Sequence, residues 1–260
     1  MARSTDRYVC IGPHKMDVVA DNMERSGRKF CERVKLLVTQ GKRWRLMQDD
    51  PAMVAEVMEQ CKRLAALGGE IVPTLWPLNG QVGATRESWF DRPTWEAACE
   101  DIYWLEKTFG RFGPLCVDLE ANNIPGKPDG VKWFWKYPEP DEVIAMTHAM
   151  GPWIATVRAH RGPLYMMPGL TLAPNNLLAE ALRGRVVSMD QATYAEDADE
   201  REWRFTTLCV RHRRAGIRYC PMYMLKDWTG GPAGSGGKAL FLYPKELDVL
   251  GQEPLEGLVK

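Results

Sequence analysis

Short apolar runs alternate with longer segments of helical spacing along the whole chain. The runs are rich in Val, Ile, Leu and Tyr and are bounded by polar or glycine-containing turns, which is typical of buried β-strands. Eight strands are predicted, over 8–12, 34–39, 70–76, 114–119, 163–167, 185–190, 217–223 and 239–243.

Helices are predicted between most of these strands. The clearest predicted helix follows Asp49-Asp50-Pro51 and ends at Leu67. Its start is indicated by acidic residues at the cap and by proline in the first turn, both of which favour the beginning of a helix. Its apolar residues recur at spacings of three and four, which gives one buried stripe. Further helices are predicted over 95–109, 140–159, 175–182 and 200–214, with a less regular one over 15–31. The glycine-rich segment 229–237 is expected to form a flexible loop in place of the last full helix.

Strands that alternate with helices pair in parallel through right-handed crossovers. Eight such units fit a closed (β/α)8 TIM barrel, an α/β fold, better than an open sheet. We therefore expect a single domain over 1–260, with the barrel at about 7–243 and a C-terminal extension over 244–260. The sequence has no glycine-rich dinucleotide motif and no Walker motif, so no cofactor is predicted.

Charge and composition narrow the range of partners. Lys plus Arg number 34 and Asp plus Glu also number 34, so the net charge is zero. The chain therefore lacks the positive charge that would attract it to the phosphates of nucleic acid. No apolar segment is long enough for a membrane span, and no signal peptide is visible. The expected location is cytoplasmic, or virion-associated for a phage-derived protein. Seven cysteines without a Cys-x-x-Cys pair indicate free, mostly buried thiols.

The strongest candidate chemistry follows the fourth predicted strand. In a barrel the active site lies at the C-terminal ends of the strands, and this strand ends in Asp118-x-Glu120. Because side chains alternate along a strand, both carboxylates face the same side, with their Cα atoms roughly 6 to 7 Å apart. Two like charges at that distance raise the pKa of one member, which suits a general acid beside an ionised partner.

Other polar and aromatic residues are predicted at the same rim. Asn122 follows the acidic pair, and the sixth strand is followed by Gln191 and Tyr194 after its terminal Asp190. The sequence contains ten Trp, and aromatic side chains stack on the apolar faces of sugar rings. The aromatic residues expected at the rim are Trp76, Trp133, Trp135, Tyr223 and Trp228, and His14 is a further candidate after the first strand. The short basic patches 42–45 and 211–214 are expected to be solvated surface.

The segment Leu115-Cys-Val-Asp-Leu-Glu120 resembles the strand-four motif of barrel glycoside hydrolases that cleave N-acetylated sugars, namely family 25 lysozymes and family 18 chitinases. The resemblance implies that Glu120 donates the proton to the glycosidic oxygen and that Asp118 assists the N-acetyl group. The longer chitinase run Asp-x-x-Asp-x-Asp-x-Glu is absent, because Gly113 and Cys116 occupy two of its positions.

The segment 186–194 resembles the strand-six segment of chitinases. This likeness implies contacts with the acetamide group from Asp190, Gln191 or Tyr194. The expected function is thus a glycosidase acting on peptidoglycan or a chitin-like polymer, with a glycan substrate as its partner.

Two alternatives stay open on the sequence. A non-catalytic barrel that binds glycan or serves as a structural virion component would use the aromatic rim and not the carboxylates. A divalent-metal-dependent enzyme would use Asp118, Glu120 and Asp190 as hard oxygen ligands.

Overall fold

The protein forms a closed barrel of eight parallel strands that pair in chain order. The computed structural model describes residues 6–12, 15–30, 34–40, 42–78, 87–119, 140–168, 183–190, 197–224 and 232–241. The strands are β1 (Arg7–Ile11), β2 (Val34–Thr39), β3 (Glu70–Leu75), β4 (Leu115–Leu119), β5 (Leu164–Pro168), β6 (Val186–Asp190), β7 (Arg218–Met224) and β8 (Lys238–Phe241). The pairing of β8 with β1 closes the sheet. This architecture confirms the predicted (β/α)8 fold.

In the described residues, helices occupy five connections between strands, namely β1–β2, β2–β3, β3–β4, β4–β5 and β6–β7. The helices are α1 (Met16–Ser26), α2 (Lys42–Met47), α3 (Pro51–Ala66), α4 (Arg92–Phe109), α5 (Pro140–Ala149), α6 (Gly151–Ala159) and α7 (Ala198–Ala215), with a short 3-10 helix at Glu87–Phe90. The Asp50 carboxylate caps α3 by accepting bonds from the amides of Ala52 and Met53. None of the helices in the described ranges is long and apolar enough to cross a membrane.

Two predicted helices need comment. The single helix predicted over 140–159 is wrong, because the chain forms α5 and α6 with a break at Met150. Pro152 explains the break, since proline lacks an amide hydrogen and its ring clashes with the carbonyl four residues earlier. The helix predicted over 175–182 lies outside the described residues.

The core has two layers that follow strand alternation. One face of each strand packs outward against the helices, as shown by Leu115, Val117 and Leu119 of β4. The other face fills the barrel interior, which contains Tyr8, Cys10, Leu37, Val72, Cys116, Tyr165, Met167, Val187, Met189, Cys220, Met222 and Ala239. The interior is therefore a packed core, as in other barrels of this size.

The two basic patches expected at the surface each contain a buried ring. Trp44, in the patch 42–45, is 1% exposed, and its indole nitrogen donates a hydrogen bond to the Thr74 carbonyl over 2.8 Å. His212, in the patch 211–214, is fully buried between α7 and the barrel. The prediction of a solvated surface is wrong at these two positions, because a helix buries one face even where neighbouring residues are charged.

The glycine-rich segment before β8 is also packed more closely than predicted. In its described part, 232–237, the Gly236 amide donates to the Tyr219 carbonyl over 2.7 Å. The Ser235 hydroxyl accepts from the Tyr219 amide over 3.1 Å. A Cβ atom at Gly234 would lie 2.2 Å from the Tyr219 carbonyl oxygen. Glycine is needed here for close backbone approach, so the prediction of a flexible loop is wrong for this part.

Candidate functional site

Asp118 lies in the barrel interior near the C-terminal end of β4. It shares a strand face with Cys116, which belongs to the interior cluster, while Val117 between them packs outward. Asp118 is only 4% exposed, and its Cα pairs with that of Met167 on β5. The carboxylate thus lies just beneath the end of the barrel where active sites of this fold are built.

Small polar side chains from the neighbouring strands share this region. Thr39 ends β2, Thr74 lies near the end of β3, and both are buried. The Thr39 hydroxyl lies 3.4 Å from the Cys10 sulfur of β1. Thr74 pairs in register with Thr39 on one side and with Cys116 on the other. Near their C-terminal ends, strands β1 to β4 therefore form a polar half of the interior, with Leu37 and Val72 deeper in the barrel.

The Cys116 thiol of this half is neutral. Burial raises the pKa of Cys116 well above its ordinary value, and the nearby Asp118 charge raises that pKa further, whereas the Thr74 hydroxyl opposes the shift. A nucleophilic cysteine needs a lowered pKa. The arrangement around Cys116 therefore disfavours thiolate chemistry at this position.

Strands β5 to β7 give the interior an apolar half. Their inward residues include Met167, Met189 and Met222, each 3% exposed or less, together with Cys220. Burial raises the pKa of Cys220 as well, so this thiol is also uncharged. Methionine side chains are flexible and adapt to irregular apolar surfaces. The site is therefore amphipathic, with hydroxyls and a carboxylate facing thioethers.

Two buried polar atoms near the C-terminal end of β3 have no hydrogen-bond partner. The indole nitrogen of Trp76, which directly follows β3, is one, and Trp76 itself is partly exposed. The other is Thr74 Oγ1, which lies beside the Cys116 thiol but forms no hydrogen bond of good geometry. Unsatisfied buried polar groups are costly, so each needs an explanation, and a ligand that completes the bonding is one such explanation.

Tyr223 has a different position from the one predicted for it. It is 3% exposed, belongs to the core between barrel and helices, and donates its hydroxyl to the Pro232 carbonyl over 2.7 Å. Burial raises its pKa. This geometry is that of a packing residue that holds the segment before β8, and a substrate contact by Tyr223 stays a prediction.

The remaining predicted site residues are only partly visible. Asp190 ends β6, where its Cα pairs with that of Pro221, and its side chain is not described. Residues predicted at the rim that lie outside the described residues are His14, Glu120, Asn122, Trp133, Trp135, Gln191, Tyr194 and Trp228. The side chains of the described ranges contain no group of three or more His, Cys, Asp or Glu that could hold a metal ion.

Thr39 and Thr74 were missed by the sequence reasoning. Each is a polar residue at or near the end of an apolar run, in Leu36-Leu37-Val38-Thr39 and in Val72-Pro73-Thr74. The same signal singled out Asp118 on β4. Applied to β2 and β3, the rule would have found both hydroxyls.

Solved structures with this fold are similar to the chain at low sequence identity. A broad-specificity endoglucanase of glycoside hydrolase family 5 from an uncultured bacterium is 10% identical, with a TM-score of 0.50 over 93% of this chain and 84% of that one. An endo-β-mannanase/endo-β-glucanase from Prevotella bryantii is 11% identical, with a TM-score of 0.48, and matches 94% of this chain. This chain covers 42% of the Prevotella protein.

A tryptophan synthase from M. tuberculosis is 14% identical, with a TM-score of 0.47 over 99% of this chain and 90% of that one. No family model matches the sequence, and no curated protein is significantly similar to it. Identities this low show the fold alone, and the same barrel supports unrelated chemistries. Function must therefore be argued from the site.

Proposed function

We propose that this protein is a glycoside hydrolase that cleaves an amino-sugar polymer, peptidoglycan or a chitin-like chain. Glu120 is the general acid, and Asp118 is its partner. The observation that carries the proposal is the position of Asp118, a carboxylate that is 4% exposed in the barrel interior near the C-terminal end of β4. A carboxylate is rarely buried there without a purpose, because its desolvation is costly.

The depth of Asp118 supports the division of roles. Residues two apart on a strand point to the same face and are separated by roughly 6 to 7 Å along it. Glu120 is therefore expected one step nearer the mouth than the buried Asp118. A proton donor must reach the glycosidic oxygen, whereas its partner can act from beneath by its charge. This arrangement suits Glu120 as the proton donor near the mouth and Asp118 as its charged partner beneath.

The end of the packed interior forms the floor of the proposed site, beneath the mouth where we place the sugar ring. A pyranose has hydroxyls around its edge and C–H groups on its faces, so it needs both polar and apolar contacts. Hydroxyls and Asp118 come from β1 to β4, and methionines come from β5 to β7. Trp76 adds a partly exposed ring and an indole donor without a partner. The endoglucanase with the same fold cleaves glycans, which is compatible with the proposal at the level of the fold.

Several finer assignments belong to the same proposal. The acetamide group of the substrate is contacted by residues after the sixth strand, and sugar rings stack on the rim aromatics. The residues assigned to these contacts are Asn122, Asp190, Gln191, Tyr194 and Trp228.

Replacement of Glu120 by Gln tests the proposal directly. The variant keeps the shape of the side chain but cannot donate a proton, so we expect turnover of peptidoglycan or chitin oligosaccharides to fall by about 10²- to 10⁴-fold. Asp118→Asn is expected to lower kcat with little change in KM, because the buried carboxylate acts on the reaction and not on binding. Glu100→Gln, on the exposed face of α4, is the matched control and should leave turnover unchanged.

The outcomes separate the three possible functions. Glycan binding that survives Glu120→Gln, with no turnover by any variant, would assign the barrel to binding alone. Turnover that EDTA abolishes and a divalent cation restores would point to metal-dependent chemistry. Undiminished turnover in Glu120→Gln would refute the proposed role of Glu120.

A further inference from the structure

Helix α7 exposes two large apolar side chains on one face. Trp203 is 60% exposed and Val210 is 40% exposed. They are seven residues apart, close to two helical turns, so they lie on the same side of the helix. The buried residues of α7 are Leu208 and His212, which face the barrel. A Trp with this much exposure is unusual on a solvated helix face, since burying its ring is strongly favourable.

The acidic residues of α7 all lie in its first half, together with Arg201 and Arg204, whereas its second half carries only basic residues. The first turn carries Asp199 and Glu200, and the last turn carries Arg213 and Arg214. In the part of the chain that the structure describes, Asp199 and Arg214 form no ion pair. Asp199 lies one turn before Trp203, and Arg214 lies one turn after Val210, so the four side chains form one stripe.

The stripe is complementary to itself when it is reversed. If two copies of α7 pack antiparallel about a two-fold axis between residues 206 and 207, Trp203 of one copy meets Val210 of the other. Asp199 of one copy then meets Arg214 of the other. Both contacts occur twice, as the symmetry of an isologous interface requires. An acidic first turn and a basic last turn also suit the dipole of a single helix. The dipole does not account for the exposed Trp203 that lies between these charges.

We propose that this stripe of α7, namely Asp199, Trp203, Val210 and Arg214, is a homodimer interface between two copies of this chain. A second copy is the occupant that the charges favour, because the same surface supplies both signs in reversed order. A helix of 18 residues is about 27 Å long, so one helix pair gives an interface at the small end of the range for specific complexes. The dimer is therefore weak, with a Kd in the micromolar range.

The test measures the mass of the full chain by analytical ultracentrifugation over a concentration series from about 1 to 500 µM. The wild-type protein should pass from monomer to dimer within this range. Trp203→Ser should raise the Kd at least about tenfold, as expected for a central aromatic residue. Phe112→Ser is the matched control, because Phe112 is 65% exposed and lies outside the stripe.

Charge exchange tests the antiparallel register. Asp199→Arg places Arg opposite Arg214 in its own dimer, and Arg214→Asp places Asp opposite Asp199, so each variant alone should be mostly monomeric. In an equal mixture, opposite charges face each other at both ends, and a heterodimer of wild-type strength should form. The proposal is overturned by a wild-type protein that stays monomeric, by equal effects of Trp203→Ser and Phe112→Ser, or by a mixture that stays monomeric.

Discussion

A single buried histidine, His212, ties α7 to the barrel and leads to a sharp prediction about stability and pH. The His212 ring is fully buried and stacks on Tyr219, with ring centroids 4.6 Å apart. Its Nδ1 lies 2.8 Å from the Leu208 carbonyl, to which it donates, so Nε2 accepts from the Ser188 hydroxyl over 2.8 Å. This arrangement satisfies a neutral imidazole at both nitrogens.

The expected size of the effect follows from the pKa of His212. Burial lowers it from 6.5 to about 4, the bond to the Leu208 carbonyl opposes this shift, and the Arg211 charge adds to it. Between pH 6.5 and 4 the unfolded chain takes up a proton that the folded chain refuses, so stability falls as the pH falls. The loss approaches about 1.4 kcal/mol per pH unit and totals roughly 3 kcal/mol, a large share of the 5 to 15 kcal/mol of a typical domain.

Urea unfolding of the wild type and of His212→Gln at several pH values between 7 and 4.5 would measure this term. Carboxylates also titrate near the acidic end, so the informative quantity is the difference in unfolding free energy between the two proteins. That difference should shrink by about 2 kcal/mol or more from pH 7 to 4.5. His148→Gln, which removes an exposed histidine, is the control for the loss of a histidine elsewhere in the chain. A difference between wild type and His212→Gln that is constant with pH would refute a neutral, buried ring.

Two further substitutions test the packing around the barrel. Gly234→Ala places a Cβ 2.2 Å from the Tyr219 carbonyl oxygen and should cost about 1 to 3 kcal/mol of unfolding free energy, whereas Gly151→Ala, with nothing within 4 Å, should cost less than about 0.5 kcal/mol. Equal midpoints of thermal unfolding in these two variants would contradict the close approach. Trp44→Phe keeps an aromatic ring but removes the donor to the buried Thr74 carbonyl, so we expect a loss of about 1 to 2 kcal/mol in urea unfolding. No measurable loss would show that this carbonyl finds another donor.

Much of the fold could be predicted from the sequence. The strand predicted over 34–39 matches β2, and the other strands in the described ranges begin within a residue of their predicted starts. Strands of this barrel are buried on both faces, so each reads as a compact apolar run between turns. The cap and proline of α3 similarly marked its start. Errors arose where a local pattern was ambiguous, as at Pro152, which can either begin a helix or break one.

The candidate site could be predicted only in part. The position of Asp118 followed from strand alternation and from the rule that barrel sites lie at the C-terminal strand ends. Its burial did not, because burial depends on how neighbouring strands fill the interior. The methionine half was also invisible, since Met167, Met189 and Met222 come from three strands and become neighbours only when the barrel closes.

The sequence by itself determined the order of elements, the face of β4 on which Asp118 lies and the lack of a net charge that would favour nucleic acid. The first two properties depend on residues that are near one another in the chain, and the third is a sum over its whole composition. The tertiary structure alone decided that Trp44 and His212 are buried and that Gly234 packs against a strand. Each of these depends on contacts between distant segments, such as Trp44 with Thr74 and His212 with Ser188. Closure of the barrel creates those contacts, and no local pattern of hydrophobic and polar residues encodes which side chains it will bring together.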